Sequence, residues 1–209
     1  MKYQVVIFDL DGTILNSLDD LADSLNYALE KHNLPCRTLD EVRRFVGNGI
    51  RKLIERGVPE NTDVEMTDKV HATFTEHYKI HSADKTKAYD GVYDVLEGLK
   101  KSNIKLAVLS NKADFAVQDL CEKYFNGYFD VCAGEMAGVP KKPDAAGVYN
   151  VVKKLGVSLD ECVYVGDSEV DVLTALNSKL DLIAVDWGFR ERQLLVDTGA
   201  SVIVSTTED

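Results

Sequence analysis

Short apolar runs rich in β-branched residues punctuate the chain at Tyr3–Leu10, Ile104–Leu109, Phe129–Ala133, Cys162–Val165, Leu182–Val185 and Val202–Val204. They are nearly continuous rather than alternating, the pattern of strands covered on both faces. Between them, Val92–Lys101, Phe115–Tyr124 and Ala146–Leu155 carry apolar residues at helical spacing. Strand and helix thus alternate over residues 88–187, which predicts an α/β protein with a parallel sheet built from right-handed crossovers. Ligands of such sheets sit at the carboxyl ends of the strands.

The first strand breaks this rhythm. After Leu15 come roughly 70 residues with no convincing strand, the spacing predicts helices near 18–32, 40–56 and 61–82, and the sheet resumes near residue 104. Leu18, Leu21, Leu25 and Leu29 form one apolar stripe of the first of these. A helical unit is therefore inserted just behind the first strand, where it would emerge over the ligand end of the sheet as a cap.

Four strand ends carry polar residues. Val5–Ser17 reads VVIFDLDGTILNS, a buried strand running into Asp9, Asp11, Gly12 and Thr13. Asp and Gly also make ordinary turns there. Tyr164–Asp171 reads YVGDSEVD, and Asp167 and Asp171 lie four apart at a helix start, where acids also serve as caps. If both clusters end strands of one sheet, their carboxylates converge. Two such charges 4 Å apart repel by about 4 kcal/mol at an effective dielectric of 20. A hard divalent cation relieves that repulsion, and oxygen-only ligands select magnesium. Ser110, Asn111 and Lys112 end another strand and offer a hydroxyl, an amide and helix N-terminal N–H groups suited to phosphate oxygens. Lys141 and Lys142, before Pro143, are either a solvated pair or a source of positive charge for the carboxylates.

Composition sharpens this picture. The net charge of −11 over 209 residues argues against nucleic acid or a membrane surface as the main partner. No apolar run approaches the roughly 20 residues a membrane helix needs, and no secretory leader is evident, so a cytoplasmic protein is expected. Cys36, Cys121, Cys132 and Cys162 show no CxxC spacing and read as small core residues. His77 and His81 are four apart on an expected helix, a metal-binding spacing without a third ligand.

Taken together and in order, the four strand ends resemble the haloacid dehalogenase superfamily of phosphohydrolases. Asp9–Thr13 matches its Asp-x-Asp-Gly-Thr motif, with the downstream Ser17. Ser110 matches the second motif, Lys142-Pro143 the third, and Gly166, Asp167 and Asp171 the fourth. The resemblance implies a Rossmann-like parallel core over 1–15 and 88–209 with helices on both faces, plus an all-helical cap over 16–87. It also implies that Asp9 attacks phosphorus, that Asp11 serves as acid and base, and that Ser110 and Lys142 hold the phosphoryl oxygens. Magnesium would be held by Asp9, the backbone carbonyl of Asp11, Asp167 and Asp171.

The insertion resembles the cap of the phosphoglycolate phosphatase and beta-phosphoglucomutase branch, with Val46-Gly47-Asn48-Gly49 as its substrate loop. Expected substrate contacts are thus Thr13, Asn111, Gly47, Asn48 and Arg51. Arg51 is chosen from a basic stretch in which Arg43, Arg44, Arg51, Lys52 and Arg56 face only Glu55. Asp90 before Gly91 stands where that branch often has proline, and Lys142-Pro143-Asp144-Ala145 lacks the second proline the branch often has after its lysine. Trp187-Gly188-Phe189 also resembles the branch, or is an apolar loop at the sheet edge. The reading is a magnesium-dependent phosphatase, monomer or homodimer, of a small phosphorylated metabolite, with 2-phosphoglycolate the leading candidate. The alternatives are a phosphosugar mutase and a receiver-like module phosphorylated on Asp; a receiver needs neither the cap nor Asp11 as leaving-group acid.

Overall fold

The computed structural model describes residues 2–209. The chain begins with β1 (Val5–Phe8) and β2 (Leu15–Asn16), followed by helices α1 (Leu18–Lys31), α2 (Leu39–Phe45), α3 (Ile50–Gly57) and α4 (Val64–His81). It returns through β3 (Lys87–Ala88), α5 (Val92–Lys101), β4 (Lys105–Ala113), α6 (Asp114–Phe125), β5 (Val131–Glu135) and α7 (Ala146–Leu155). It closes with β6 (Cys162–Gly166), α8 (Glu169–Ser178), β7 (Asp181–Val185), α9 (Arg192–Thr198) and β8 (Ile203–Val204). Six strands form one sheet in the order β5-β4-β1-β6-β7-β8, and every pairing in it is parallel.

The continuous apolar runs follow from this burial on both faces. Because side chains alternate along a strand, Val6, Phe8, Leu106, Val108, Val163 and Val165 pack on one side with Val92 and Leu96 of α5 and Val117 and Leu120 of α6. Val5, Ile7, Ala107, Leu109 and Tyr164 pack on the other with Val148 and Val151 of α7 and Ala175 of α8. In register, Phe8 lies beside Val108 and Val165, so the residues that follow each of them emerge at the same edge, with β4 running on to Ala113.

The cap has its own core. The stripe Leu18, Leu21, Leu25 and Leu29 is buried against Val70, Phe74 and Tyr78 of α4. Each fully buried Leu or Phe contributes about 1.5–3 kcal/mol. Phe189 and Ala116 of the sheet domain join this cluster, so cap and core share apolar contact. Buried Asp20 of α1 ties the return segment, accepting from the backbone N–H groups of Lys85 and Thr86 and from the Thr86 hydroxyl.

The structure departs from expectation in three places. The helix expected over 40–56 is two helices, because Gly47 and Gly49 adopt φ of 108° and 85°, a region closed to continuing helix. β2 and β3 pair antiparallel where the chain leaves and re-enters the core; at two residues each they are too short for periodicity to register. Helix α9 begins after Glu191 and had no clear apolar repeat, with Leu195 its buried residue. No helix among the described residues is long and apolar enough to cross a membrane.

Candidate active site

Asp9 follows β1 directly, and its backbone N–H donates to Val165 O at 2.9 Å, continuing the sheet ladder by one residue. This fixes the carboxylate at the strand end. Its Oδ1 accepts from the Leu10 N–H at 2.7 Å and lies 3.0 Å from Lys142 Nζ. Among the described residues no protein donor reaches Asp9 Oδ2. Lys142 is buried and its ammonium is fully engaged: Asp9 Oδ1, Asp171 Oδ1 at 2.7 Å and the Tyr164 hydroxyl at 3.0 Å. Lys142 is thus an internal counter-charge, not half of a solvated pair. Its neighbour Lys141 pairs at the surface with Glu135 at 2.9 Å.

Asp171 has two employments. Its Oδ2 accepts from the Ser168 N–H at 3.1 Å and hydroxyl at 2.6 Å, closing the capping box of α8, while Oδ1 faces Lys142. Asp167 is held from three directions. Thr13 Oγ1 donates to its Oδ1 at 3.1 Å, the Phe189 N–H donates to Oδ2 at 2.8 Å, and glycines flank it. A Cβ on Gly12, at φ 84°, or on Gly188 would overlap the Asp167 carboxylate, so both positions must lack a side chain for the acid to sit there. The Trp187–Phe189 segment is therefore more than an apolar loop: it braces Asp167, and the Trp187 indole N–H reaches Thr13 O at 3.0 Å.

Ligand oxygens of Asp9, Asp167 and Asp171 all lie within 4.8 Å of one another, all buried. Burial, then Asp171 and Asp11, pushes Asp9 up to about 7 even though Lys142 opposes it. Burial and the same crowding by Asp171 and Asp9 hold Asp167 well above the carboxylate range. Lys142 is driven well above its ordinary value because Asp171 and Asp9 outweigh the burial that would lower it. Three buried carboxylates share one internal cation, which is the charge deficit and oxygen donor set a hard divalent cation fits. The Asp11 side chain stands outside this cluster, leaving only its backbone carbonyl for such an ion.

Asp11 is instead clamped. Lys112 Nζ donates to Asp11 Oδ1 at 2.8 Å and Oδ2 at 3.0 Å, and the Ser17 hydroxyl also donates to Oδ1. The same ammonium donates to the Tyr78 hydroxyl of α4 at 2.5 Å. Burial pushes the Tyr78 phenol up to about 12. Burial would lower Lys112, but Asp11 and Tyr78 hold it above its ordinary value. Sequence reasoning gave Lys112 no role. The register of β4 against β5 shifts between Leu109 and Ala113, and Ser110, Asn111 and Lys112 all line the cleft, a placement that strand alternation does not predict.

Of the other expected substrate contacts, Ser110 and Asn111 line the cleft, together with Gly47, Gly49, Leu21, Val46, Ile50, Leu53, Tyr78, Phe189 and Arg190. The cleft has an inner volume of about 50 Å³ and is open on one side. The Asn111 amide is spent on the backbone: Nδ2 donates to Gly47 O at 3.1 Å and Lys142 O at 3.0 Å, and Oδ1 accepts from the Lys142 N–H at 2.9 Å. It fastens the cap loop to the lysine loop. Asn48 is half-buried and does not line the cleft. Arg51 is directed elsewhere: it pairs with Glu55 one turn along α3 at 2.8 Å and with Asp68 of α4, on the cap exterior. The local acids Glu55 and Asp68 outcompete the cleft for it. The arginine that does line the cleft is Arg190, which donates to Glu169 at 2.8 Å and to the carbonyls of Arg43 and Val46 at 2.7 Å. His77 and His81 stack with ring centroids 4.2 Å apart and join no group of three ligands among the described residues.

Comparison with known proteins gives the family. Residues 6–185 match the family model of the haloacid dehalogenase-like hydrolases. The phosphoglycolate phosphatase of Psychrobacter arcticus is 32% identical over 203 residues, covering 92% of this chain and 87% of its own. That of Caulobacter vibrioides is 32% identical over 209 residues, covering 98% and 87%. A solved structure from Lactobacillus delbrueckii subsp. bulgaricus superposes with a TM-score of 0.94 at 38% identity, over 100% of this chain and 96% of the other. A predicted phosphoglycolate phosphatase from Haemophilus somnus superposes with a TM-score of 0.93 at 27% identity, over the same shares. With its strand-end carboxylates, buried lysine and inserted cap, the chain belongs to the haloacid dehalogenase-like hydrolases.

Proposed function

We propose that this phosphoric monoester hydrolase uses Asp9 as a nucleophile to hydrolyse a small phosphorylated metabolite, with 2-phosphoglycolate the leading candidate. The observation that carries the reading is Asp9 itself: one oxygen is held by Lys142 and Leu10 N–H, and the other is left without a protein donor at the floor of a capped cavity. Oδ2 attacks phosphorus as the bond to the leaving oxygen breaks, forming an aspartyl-phosphate. Asp11 gives the leaving oxygen its proton. It then takes one from the water that attacks phosphorus and frees Asp9. Ser110 holds a phosphoryl oxygen; Lys142, expected to do the same, has its three donors taken by Asp9, Asp171 and Tyr164, so it offsets charge and, with Asp171, keeps the Asp9 carboxylate oriented. Thr13 holds Asp167 and Asn111 holds the cap loop, so both act on the ligand through other groups.

Magnesium would be held by Asp9, Asp167 and the Asp11 backbone carbonyl, with Asp171 supplying further negative charge; when bound it offsets the repulsion among carboxylates and phosphate. The residues form the cap-and-core division at about 16–87, and the cap excludes water from the reaction. The relatives that are phosphoglycolate phosphatases support the substrate.

The test is release of inorganic phosphate with magnesium from 2-phosphoglycolate, sugar phosphates, nucleotides and pyrophosphate, alongside assay for isomerised sugar phosphate. Multiple turnover with 2-phosphoglycolate preferred supports the reading. Isomerised product without phosphate release makes the chain a mutase, and a single stoichiometric phosphorylation without turnover makes it receiver-like.

A further inference from the structure

Lys112 is a buried ammonium that none of the steps above uses. Its side chain is 2% exposed, and removing such a charge from water costs several kcal/mol. Neutralising Asp11 would account for a lysine anywhere nearby, but the contacts are more specific than that. Two donations reach the two oxygens of one carboxylate, which fixes the plane of that carboxylate as well as its place. The third goes to the Tyr78 hydroxyl. Asp11 lies in the loop after β1, where Ser17 is its other side-chain donor; without Lys112 a single hydroxyl would hold it. Lys112 comes from the end of β4, whereas Tyr78 comes from α4 and is buried in the cap core against Phe74. The clamp thus takes one part from the sheet and one from the cap.

We propose that Lys112 is a positioning residue that fixes the Asp11 carboxylate against the leaving oxygen, with Tyr78 completing the clamp when α4 is seated on the core. The inference rests on Asp11 acting as the leaving-group acid. It gives the cap a share in proton transfer that its apolar cleft residues do not supply. Misplacing a reacting group by about 1 Å costs on the order of 100-fold, and that loss should fall on the step in which Asp11 moves a proton.

The experiment compares single-turnover cleavage, with magnesium, of an alkyl phosphate the wild type hydrolyses and of p-nitrophenyl phosphate, whose leaving group departs without a proton. Lys112→Met is expected to slow the alkyl ester about 100-fold and p-nitrophenolate release less than about threefold, in kcat and not in KM. Tyr78→Phe, which removes one oxygen, is expected to shift the same ratio about threefold to tenfold. Equal losses on both esters, or a change confined to KM, overturn the proposal. If Lys112→Met does not fold, Tyr78→Phe decides by the same criterion. Asp11→Asn separates the two levels: no selectivity between the esters there means the acid role has failed. Selectivity in Asp11→Asn without selectivity in Lys112→Met or Tyr78→Phe means the clamp alone has failed.

Discussion

The sheet domain and the cap meet at one cavity and bring opposite materials to it. From the sheet come Asp9, Ser110, Lys112, Lys142, Asp167 and Asp171, all buried, with side chains engaged by neighbouring donors or acceptors. From the cap come Leu21, Val46, Ile50 and Leu53, with the Tyr78 hydroxyl as the one side-chain polar group among the cavity-lining cap residues. The cap's cations point outward: Arg43 pairs with Asp40, Lys52 with Glu55, and Arg51 with Glu55 and Asp68. Strand ends can hold charges at fixed separations because the parallel ladder sets their register. Helices that seat through apolar contact are suited to shape and water exclusion, which strengthens every charge interaction beneath them. The division teaches that one cavity can be built from two kinds of contact, buried ionic bonds on the sheet side and apolar packing on the cap side.

The strongest way to break this comparison is at its centre. Asp9→Asn keeps the side-chain shape and removes the nucleophile, and turnover of any phosphate ester is expected to fall on the order of 10⁴-fold or more. Steady-state release of inorganic phosphate checks this, with a melting curve to show that the variant is folded. Turnover within tenfold of the parent would place the nucleophile elsewhere. Lys142→Met comes next. It strips the cation from Asp9 and Asp171, leaving buried carboxylates without their partner, a change that costs about 3–5 kcal/mol of stability. Activity is expected to fall about 100- to 1000-fold, and denaturant melts together with phosphate release measure both.

A smaller effect tests the charge deficit directly. Asp9 is raised to about 7 by burial and by Asp171 and Asp11, so without a divalent cation the folded protein retains a proton that the unfolded chain has already lost above about pH 4. The native state therefore binds more protons than the unfolded state between about pH 4 and pH 7. Asp9's contribution to stability falls as pH rises through that window, then levels off. In chelator at pH 7.5, Asp9→Asn is expected to melt about 5 °C above the parent, and the gap should narrow towards pH 4. Magnesium should raise the parent's melting temperature more at pH 7.5 than at pH 5. A gap that grows on acidification would mean that Asp9 is stabilised as a carboxylate, with no charge deficit to fill.

The two regions were also unequally legible. The parallel core could be read from the chain because buried strands leave continuous apolar runs, and Val92–Lys101 and Ala146–Leu155 are helices with those bounds. The convergence of Asp9, Asp167 and Asp171 followed from their places after neighbouring strands. Lys112 went unrecognised because Ser110-Asn111-Lys112 was read as a polar strand end, and the register shift between Leu109 and Ala113 that brings all three to the cleft leaves no periodic mark. Asn111 and Thr13 were read as ligand contacts because residue type reveals hydrogen-bonding capacity, while the partner depends on which backbone folds nearby. In the cap even the direction of a side chain was out of reach. Arg51 and Tyr78 lie on helices whose rotation is set by tertiary packing, and no local pattern says which of them meets the cleft.

Arg51 therefore gives the smallest expected effect and the sharpest test of the cap's outward-facing charge. Its guanidinium is held by Glu55 and Asp68 at a position 38% exposed, and exposed ion pairs of this kind contribute little because solvent screens them. Arg51→Ala is expected to change kcat/KM for the preferred ester by less than about twofold. Ile50→Ala, one residue away but lining the cavity, should instead alter the ranking of esters, since it enlarges the space beside the leaving group. Parallel substrate profiles of the two variants make the measurement. A loss of tenfold or more in KM for Arg51→Ala, restored by Arg51→Lys, would mean that the arginine leaves Glu55 and Asp68 to meet the substrate. The cap would then supply charge as well as shape, and the division between the two regions would not hold.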